Sequence, residues 1–151
     1  MPRKQPPIHF HYLTEPFHFP HRTFIKSFIS RLFYDYSKEV QNVNYIFCSD
    51  DYLLNLNKEY LQHDYYTDII TFELSPPRQP IISDIYISID RVRENAKQYS
   101  SSLYREIIRL IIHGALHLCG QKDKTEEDSK RMRKLEELYL DKWFHVKRTS
   151  K

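Results

Sequence analysis

Hydrophobic and polar positions along this chain alternate between two periods. From His21 the apolar pairs Phe24/Ile25, Phe28/Ile29 and Leu32/Phe33 recur every four residues, the spacing of one buried face of a helix. On either side, residues 8–13 and 43–48 are short runs rich in Ile, Val, Phe and Tyr, which predict strands. Ser49 or Asp50 offers an N-cap for a helix through Leu61. Residues 68–74 predict a third strand, ended by Ser75-Pro76-Pro77, and residues 81–89 a fourth. A basic helix over 90–99 stops at Ser100, Ser101 and Ser102, which cap the next helix, over 103–119. Its apolar residues point nearly all round, the mark of a buried central helix. Thr125-Glu126-Glu127-Asp128 resembles a capping box. It opens a last helix to about Phe144, with Met132, Leu135, Leu138 and Tyr139 as its core stripe. The Pro-rich start is expected to be loose, and residues 145–151 read as a basic tail. Strands and helices interleave around one small sheet, so the pattern predicts an α+β or α/β fold in one domain, 1–151.

Composition narrows this picture. A chain of 151 residues with 40% hydrophobic and 28% charged residues is globular rather than disordered. Twelve tyrosines and nine phenylalanines read as core and strand packing rather than as a dedicated base-stacking platform. Apolar runs such as Leu110-Ile111-Ile112 are far short of the roughly 18 residues a membrane span needs. No apolar stretch follows the basic N-terminus, so neither a signal peptide nor a membrane role is expected. Two cysteines far apart, Cys48 and Cys119, fit a reduced, cytoplasmic protein. The net charge of +3 is unevenly spread: +4 over residues 1–38, −7 over 39–90 and +6 over 91–151. The basic C-terminal part is a candidate surface for a polyanion.

The chemistry concentrates where the glycines do. Ordinary proteins use glycine at about 7%, whereas this chain has two, Gly114 and Gly120, both inside His113-Gly114-Ala115-Leu116-His117-Leu118-Cys119-Gly120. Histidines at i and i+4 share one helix face and can share one ion. A glycine just past the helix can turn the chain back and bring Asp123 to the same ion. Two histidines and an aspartate leave one position open on zinc, whereas structural zinc sites are closed by four ligands. The open position suits a water whose pKa falls to about 7, which is hydrolase chemistry. Cys119 reads as packing. A zinc peptidase of the H-E-x-x-H kind would need a glutamate base where Gly114 stands. A zinc deaminase is excluded by the lack of P-C-x-x-C. Gly114 is expected to leave room beside the metal for a bulky phosphodiester, and Gly120 to act as the hinge for Asp123.

These residues resemble the YbeY family of metal-dependent single-strand endoribonucleases. His113 through Gly120 matches the family pattern H-G-x-L-H-L-x-G-Y-D-H at every fixed position. Thr67-Asp68-Ile69-Ile70-Thr71-Phe72 is similar to its P-T-D-V-L-S-F strand, and Ser83-Asp84-Ile85-Tyr86-Ile87 stands in place of G-D-I-x-I. Leu54-Asn55-Leu56-Asn57-Lys58-Glu59-Tyr60 matches upstream. Three positions depart. Asp123 stands for the third histidine, Tyr66 replaces the proline before Thr67, and Leu61 occupies a place where the family often carries arginine.

The resemblance implies an α+β fold, a small mixed four-stranded sheet packed by helices, with a buried central helix carrying the histidines (zincin-like). It implies catalytic roles for His113 and His117 and one zinc ion per chain on His113, His117 and Asp123. With an aspartate ligand, manganese, iron or nickel are alternatives. If the family arginine steadies a phosphate, Arg105, Arg109, Lys122 and Lys124 are the candidates to replace it. The implied role is maturation of ribosomal RNA at the 3′ end of 16S rRNA and late-stage ribosome quality control. The implied partners are the small ribosomal subunit, a ribosomal protein or a GTPase assembly factor. The rivals are a non-catalytic assembly factor with a structural metal and, behind it, a zinc peptidase.

Overall fold

The computed structural model describes residues 6–149, with side chains through residue 145. The expected loose start before residue 6 and the last two residues of the basic tail lie outside the described residues. Nine elements follow in the order β1 (Ile8–Tyr12), α1 (Arg22–Asp35), β2 (Val40–Cys48), α2 (Asp50–Leu61), β3 (Ile69–Glu73), β4 (Ile81–Ser88), α3 (Ile89–Gln98), α4 (Leu103–Leu118) and α5 (Glu126–Thr149). All four strands join one sheet in the order β1-β2-β4-β3. β1, β2 and β4 run parallel, and β3 pairs antiparallel with β4 at one edge. The parallel pairs need crossovers, which α1 and the α2–β3 segment provide. The fold is therefore α+β with a mixed four-stranded sheet, as expected.

Alternation along the strands divides the interior in two. Val43, Tyr45 and Phe47 of β2 and Ile85 and Ile87 of β4 enter the main core with α1, α4 and α5. Cys48, Ile70 and the partly buried Phe72 and Tyr86 pack with Leu53 and Leu56 of α2 in a smaller cluster. The period of two sends these sets to opposite faces of the sheet. Tyr45, fully buried, donates its hydroxyl to the Ile111 carbonyl at 2.8 Å. That bond satisfies the phenol where water cannot and ties α4 to the sheet.

Serines start three of the helices, Ser49 and Ser102 as their sequence positions predict and Ser88, expected inside the fourth strand, as a further cap. Ser49, Ser88 and Ser102 cap α2, α3 and α4 by accepting N–H bonds from Tyr52, Arg91 and Arg105. α4 is buried nearly all round, through Ile107, Ile108, Leu110, Ile111, Ile112, Ala115 and Leu116. Its end is a Schellman turn: Gln121 N–H bonds to Leu116 O and Gly120 N–H to His117 O, each at 3.0 Å, with Gly120 at φ +97°. Thr125 and Asp128 make the expected reciprocal cap of α5.

Four expectations are corrected. β2 begins at Val40, three residues early, because its start pairs with Ile81 of β4. α5 continues to Thr149, so most of the supposed basic tail is helical. Leu138 is 48% exposed. The buried stripe runs through Met132, Glu136, Tyr139, Leu140 and Trp143, and at 100° per residue position 138 falls about 240° round from Met132. Finally, Gly114 opens no space for substrate. A Cβ there would stand 3.1 Å from Ile85 Cδ1, 3.3 Å from Ile85 Cγ2 and 3.4 Å from Ile69 Cδ1. Its lack of a side chain lets α4 sit close on β3 and β4.

Candidate active site

α4 presents His113 and His117 one turn apart, and the turn at Gly120 carries the chain back towards them. His113 is half-buried and His117 exposed. Asp123 lies on the returning loop, where its Oδ1 accepts the Ser129 hydroxyl at 2.7 Å. Its Oδ2 is 3.9 Å from His113 Nε2. His113, His117 and Asp123 line one cavity of about 280 Å³ with Asn57, Leu61, His63 and Tyr65. A neighbouring cavity of about 440 Å³ shares His113 and Asp123 and adds Asp68, Asn95, Arg109 and Arg133. A larger one, about 650 Å³, lies beside the β3–β4 connection, and among the described residues no histidine or cysteine lines it. The chemistry is therefore at the two smaller cavities.

Behind His113 stands a charged network that the sequence reading missed. Glu136 of α5, 2% exposed, lies 2.7 Å from His113 Nδ1 through its Oε2. Its Oε1 accepts from Arg109 Nη1 at 2.9 Å. Arg109 also donates to the buried Glu106, with Nε at 2.9 Å and a very close Nη2 contact, and lies 3.9 Å from Asp68. Asn95 donates to Asp68 at 3.1 Å. Burial opposes the charge on Glu136, but the His113 hydrogen bond and the Arg109 guanidinium outweigh it and hold its pKa below the ordinary carboxylate value. Asp68 goes the other way: burial raises it, although Arg109 and His113 pull it down. Arg109 is driven above its ordinary value by Glu106 and Glu136 despite its own burial. The legible signal for this network was a lone acid in each of two apolar stripes: Glu106 in α4 and Glu136 in α5.

The arrangement suits a metal through its donor chemistry. A carboxylate on Nδ1 leaves Nε2 with its lone pair facing outward, the usual second-layer partner of a metal-bound histidine. Ligands about 2 Å from one ion lie roughly 3–4 Å from each other, and the spacing from His113 to Asp123 falls in that range. Among the described residues no three His, Cys, Asp or Glu side chains are already clustered closely enough to hold an ion. His117 lines the same cavity as His113 and Asp123.

The four proposed phosphate contacts separate. Arg109 lines the larger of the two site cavities, but its guanidinium is engaged by three carboxylates. Arg105 pairs with Glu137 at 3.2 Å and lies over the Phe144 ring, away from both site cavities. Lys122 and Lys124 are exposed beside Asp123. Arg133, which the sequence reading passed over in a highly charged helix, is exposed and lines the cavity with His113 and Asp123. Cys119 packs in the main core, and burial raises its thiol to about 12.

Comparison with known proteins decides the family. The profile described as endoribonuclease YbeY matches residues 17–144. The chain belongs to the endoribonuclease YbeY family. Among its relatives, proteins named endoribonuclease YbeY from Cytophaga hutchinsonii and Flavobacterium johnsoniae are 50% and 40% identical over 101 and 139 residues. The alignments cover 67% of this chain and 71% of the first relative, and 92% and 98% for the second. A Porphyromonas gingivalis protein of the same name is 45% identical over 79% of this chain and 78% of its own. A Thermotoga maritima protein solved in solution shares the fold, with TM-score 0.66 at 24% identity over 94% of this chain and 92% of that one. The family's members are nucleases by name, and no helix among the described residues is long and apolar enough to cross a membrane.

Proposed function

We propose that this chain is a metal-dependent endoribonuclease that cleaves single-stranded ribosomal RNA, with His113, His117 and Asp123 holding one divalent ion. The observation that carries this reading is the anchored His113, whose Nδ1 meets the buried Glu136 while Nε2 faces Asp123 across the cavity. When bound, such an ion supplies charge to polarise a phosphate oxygen and to acidify a water towards neutral pH. The residues do the rest. Glu136 fixes the tautomer and the plane of His113. Arg109 keeps Glu136 ionised, so the carboxylate remains an acceptor. Ser129 steadies one oxygen of Asp123 and leaves the other directed at His113. Arg133, Lys122 and Lys124 stand where they can hold the phosphates on either side of the cut.

Zinc suits two imidazoles and a carboxylate, with manganese or nickel the alternatives. Family membership supports a place in ribosomal RNA maturation at the 3′ end of 16S rRNA, and with it the cytoplasm and the small ribosomal subunit as partner. The enzyme name carried by close relatives weighs against a non-catalytic assembly factor. The peptidase alternative also lacks space for its base, because position 114 is packed on Ile85.

The test is metal content and cleavage of single-stranded RNA by the wild type, His117→Ala and Asp123→Ala. Metal and cleavage should fall together in both variants. Equal cleavage by all three proteins overturns the reading, and full metal occupancy in Asp123→Ala removes Asp123 from the ligand set.

A further inference from the structure

The smaller site cavity has an unusual wall. Among the described residues no lysine or arginine lines it; Leu61 at the end of α2 and His63 and Tyr65 from the loop before β3 face it, with His113, His117 and Asp123 also in its lining. The His63 and Tyr65 rings are stacked, with centroids 5.1 Å apart and planes 20° from parallel. The Tyr65 hydroxyl is 3.0 Å from His63 Nδ1. Both residues are exposed, Tyr65 by 56%.

Exposed aromatics in a loop would ordinarily be mobile, but this loop is clamped. Asn57 is 2% exposed at the end of α2. Its side-chain amide donates to the Tyr65 carbonyl at 2.9 Å, and its backbone carbonyl accepts the His63 N–H at 3.1 Å. Asp64, between the two in sequence, pairs with Lys58 at 3.3 Å. A buried amide that left its partner would lose a hydrogen bond with no water to replace it. The ring pair is thus held ready, and little ordering entropy remains for a ligand to overcome.

We propose that His63 and Tyr65 form a stacking platform for an unpaired RNA base next to the scissile phosphate; this rests on the nuclease reading above. A flat, uncharged, partly apolar ligand extends such a stack, whereas phosphate finds no lysine or arginine on the Leu61, His63 and Tyr65 side among the described residues. The two cavities divide one nucleotide: the phosphodiester lies towards Arg133, and the base lies on Tyr65. Only an unpaired base exposes its face to a protein ring, so the platform also favours single strands over duplex.

The test separates binding from cleavage. Binding of a short single-stranded RNA and of its fully abasic counterpart is followed by fluorescence anisotropy for the wild type, Tyr65→Ala and Tyr65→Phe, and cleavage of the RNA is scored separately on gels. The wild type should prefer the base-bearing strand by about tenfold, within the range of one base–aromatic stack. Tyr65→Ala should lose that preference while binding the abasic strand as the wild type does, and Tyr65→Phe should keep most of it. Equal preference in Tyr65→Ala and the wild type overturns the platform, as does loss of preference in Tyr65→Phe. Retained preference without any cleavage by the wild type supports the platform as a base-binding site and overturns the nuclease reading alone.

Discussion

Gly114 and Gly120 are six positions apart and answer to different forces. Gly120 sits at φ +97° with no atom near a would-be Cβ, so its requirement is purely conformational. Gly120→Ala should cost about 1–2 kcal/mol, the penalty of a left-handed backbone for an L-residue. It should also lower metal content, because the loop to Asp123 begins there; urea denaturation and metal analysis read the two effects. Gly114 has ordinary helical geometry and a crowded neighbour instead. Gly114→Val should destabilise by roughly 1–3 kcal/mol through overpacking against Ile85, checked by thermal melting. If Gly114→Val melts with the wild type, the close seat of α4 on the sheet is wrong.

Between elements, the connection that matters most is α4 to α5. His113 and Arg109 of α4 meet on the two oxygens of Glu136 from α5. Glu136→Gln retains shape but weakens the acceptor on His113 Nδ1, and metal affinity should fall about 10–100-fold, as loss of such a supporting partner usually does. Competition with a chelator measures it, and unchanged affinity would remove Glu136 from the metal's support. Arg109→Met leaves two buried carboxylates without their cation, a change that should cost about 3–5 kcal/mol in denaturant unfolding. The element boundaries were largely legible in sequence, since caps and apolar periods act within a turn or two. The exceptions were the start of β2, set by pairing with β4, and the end of α5; within α5, hydrophobicity suggested a place for Leu138 in the stripe, and helical phase put it outside. Of the charged network only the two acids in apolar stripes were legible; their partners were not, because Glu136 lies 23 residues from His113 and 27 from Arg109. An acid in a charged helix becomes a site residue only when another helix covers it.

Across the whole molecule, charge is sorted by element. The acidic segment 39–90 builds β2, α2, β3, β4 and the first two residues of α3, and the basic segment 91–151 builds the rest of α3, α4 and α5. The candidate site lies where they meet, with aromatic rings lining one cavity and Arg133 the other, and Lys122 and Lys124 flanking Asp123 in the chain. Phosphate binding by about three cations should lower RNA affinity roughly tenfold or more between about 50 and 200 mM salt. A flat salt response in the same anisotropy assay would contradict this basic face. Base stacking should survive the added salt, so the preference for base-bearing over abasic RNA should persist while both affinities fall.

By itself the sequence determined what depends on neighbours along the chain. That includes the serine caps of α2 and α4, the buried central helix, the two histidines on one face, and the Gly120 turn that returns Asp123. These are short-range properties of backbone dihedrals and helical phase, and they also carry the family's pattern. Tertiary structure alone decided the rest: Glu136 behind His113, Arg109 held among carboxylates, Gly114 closed against Ile85, and the ring pair clamped by Asn57. Each of these depends on which residue arrives from another element and on the exclusion of water there, neither of which a local pattern contains.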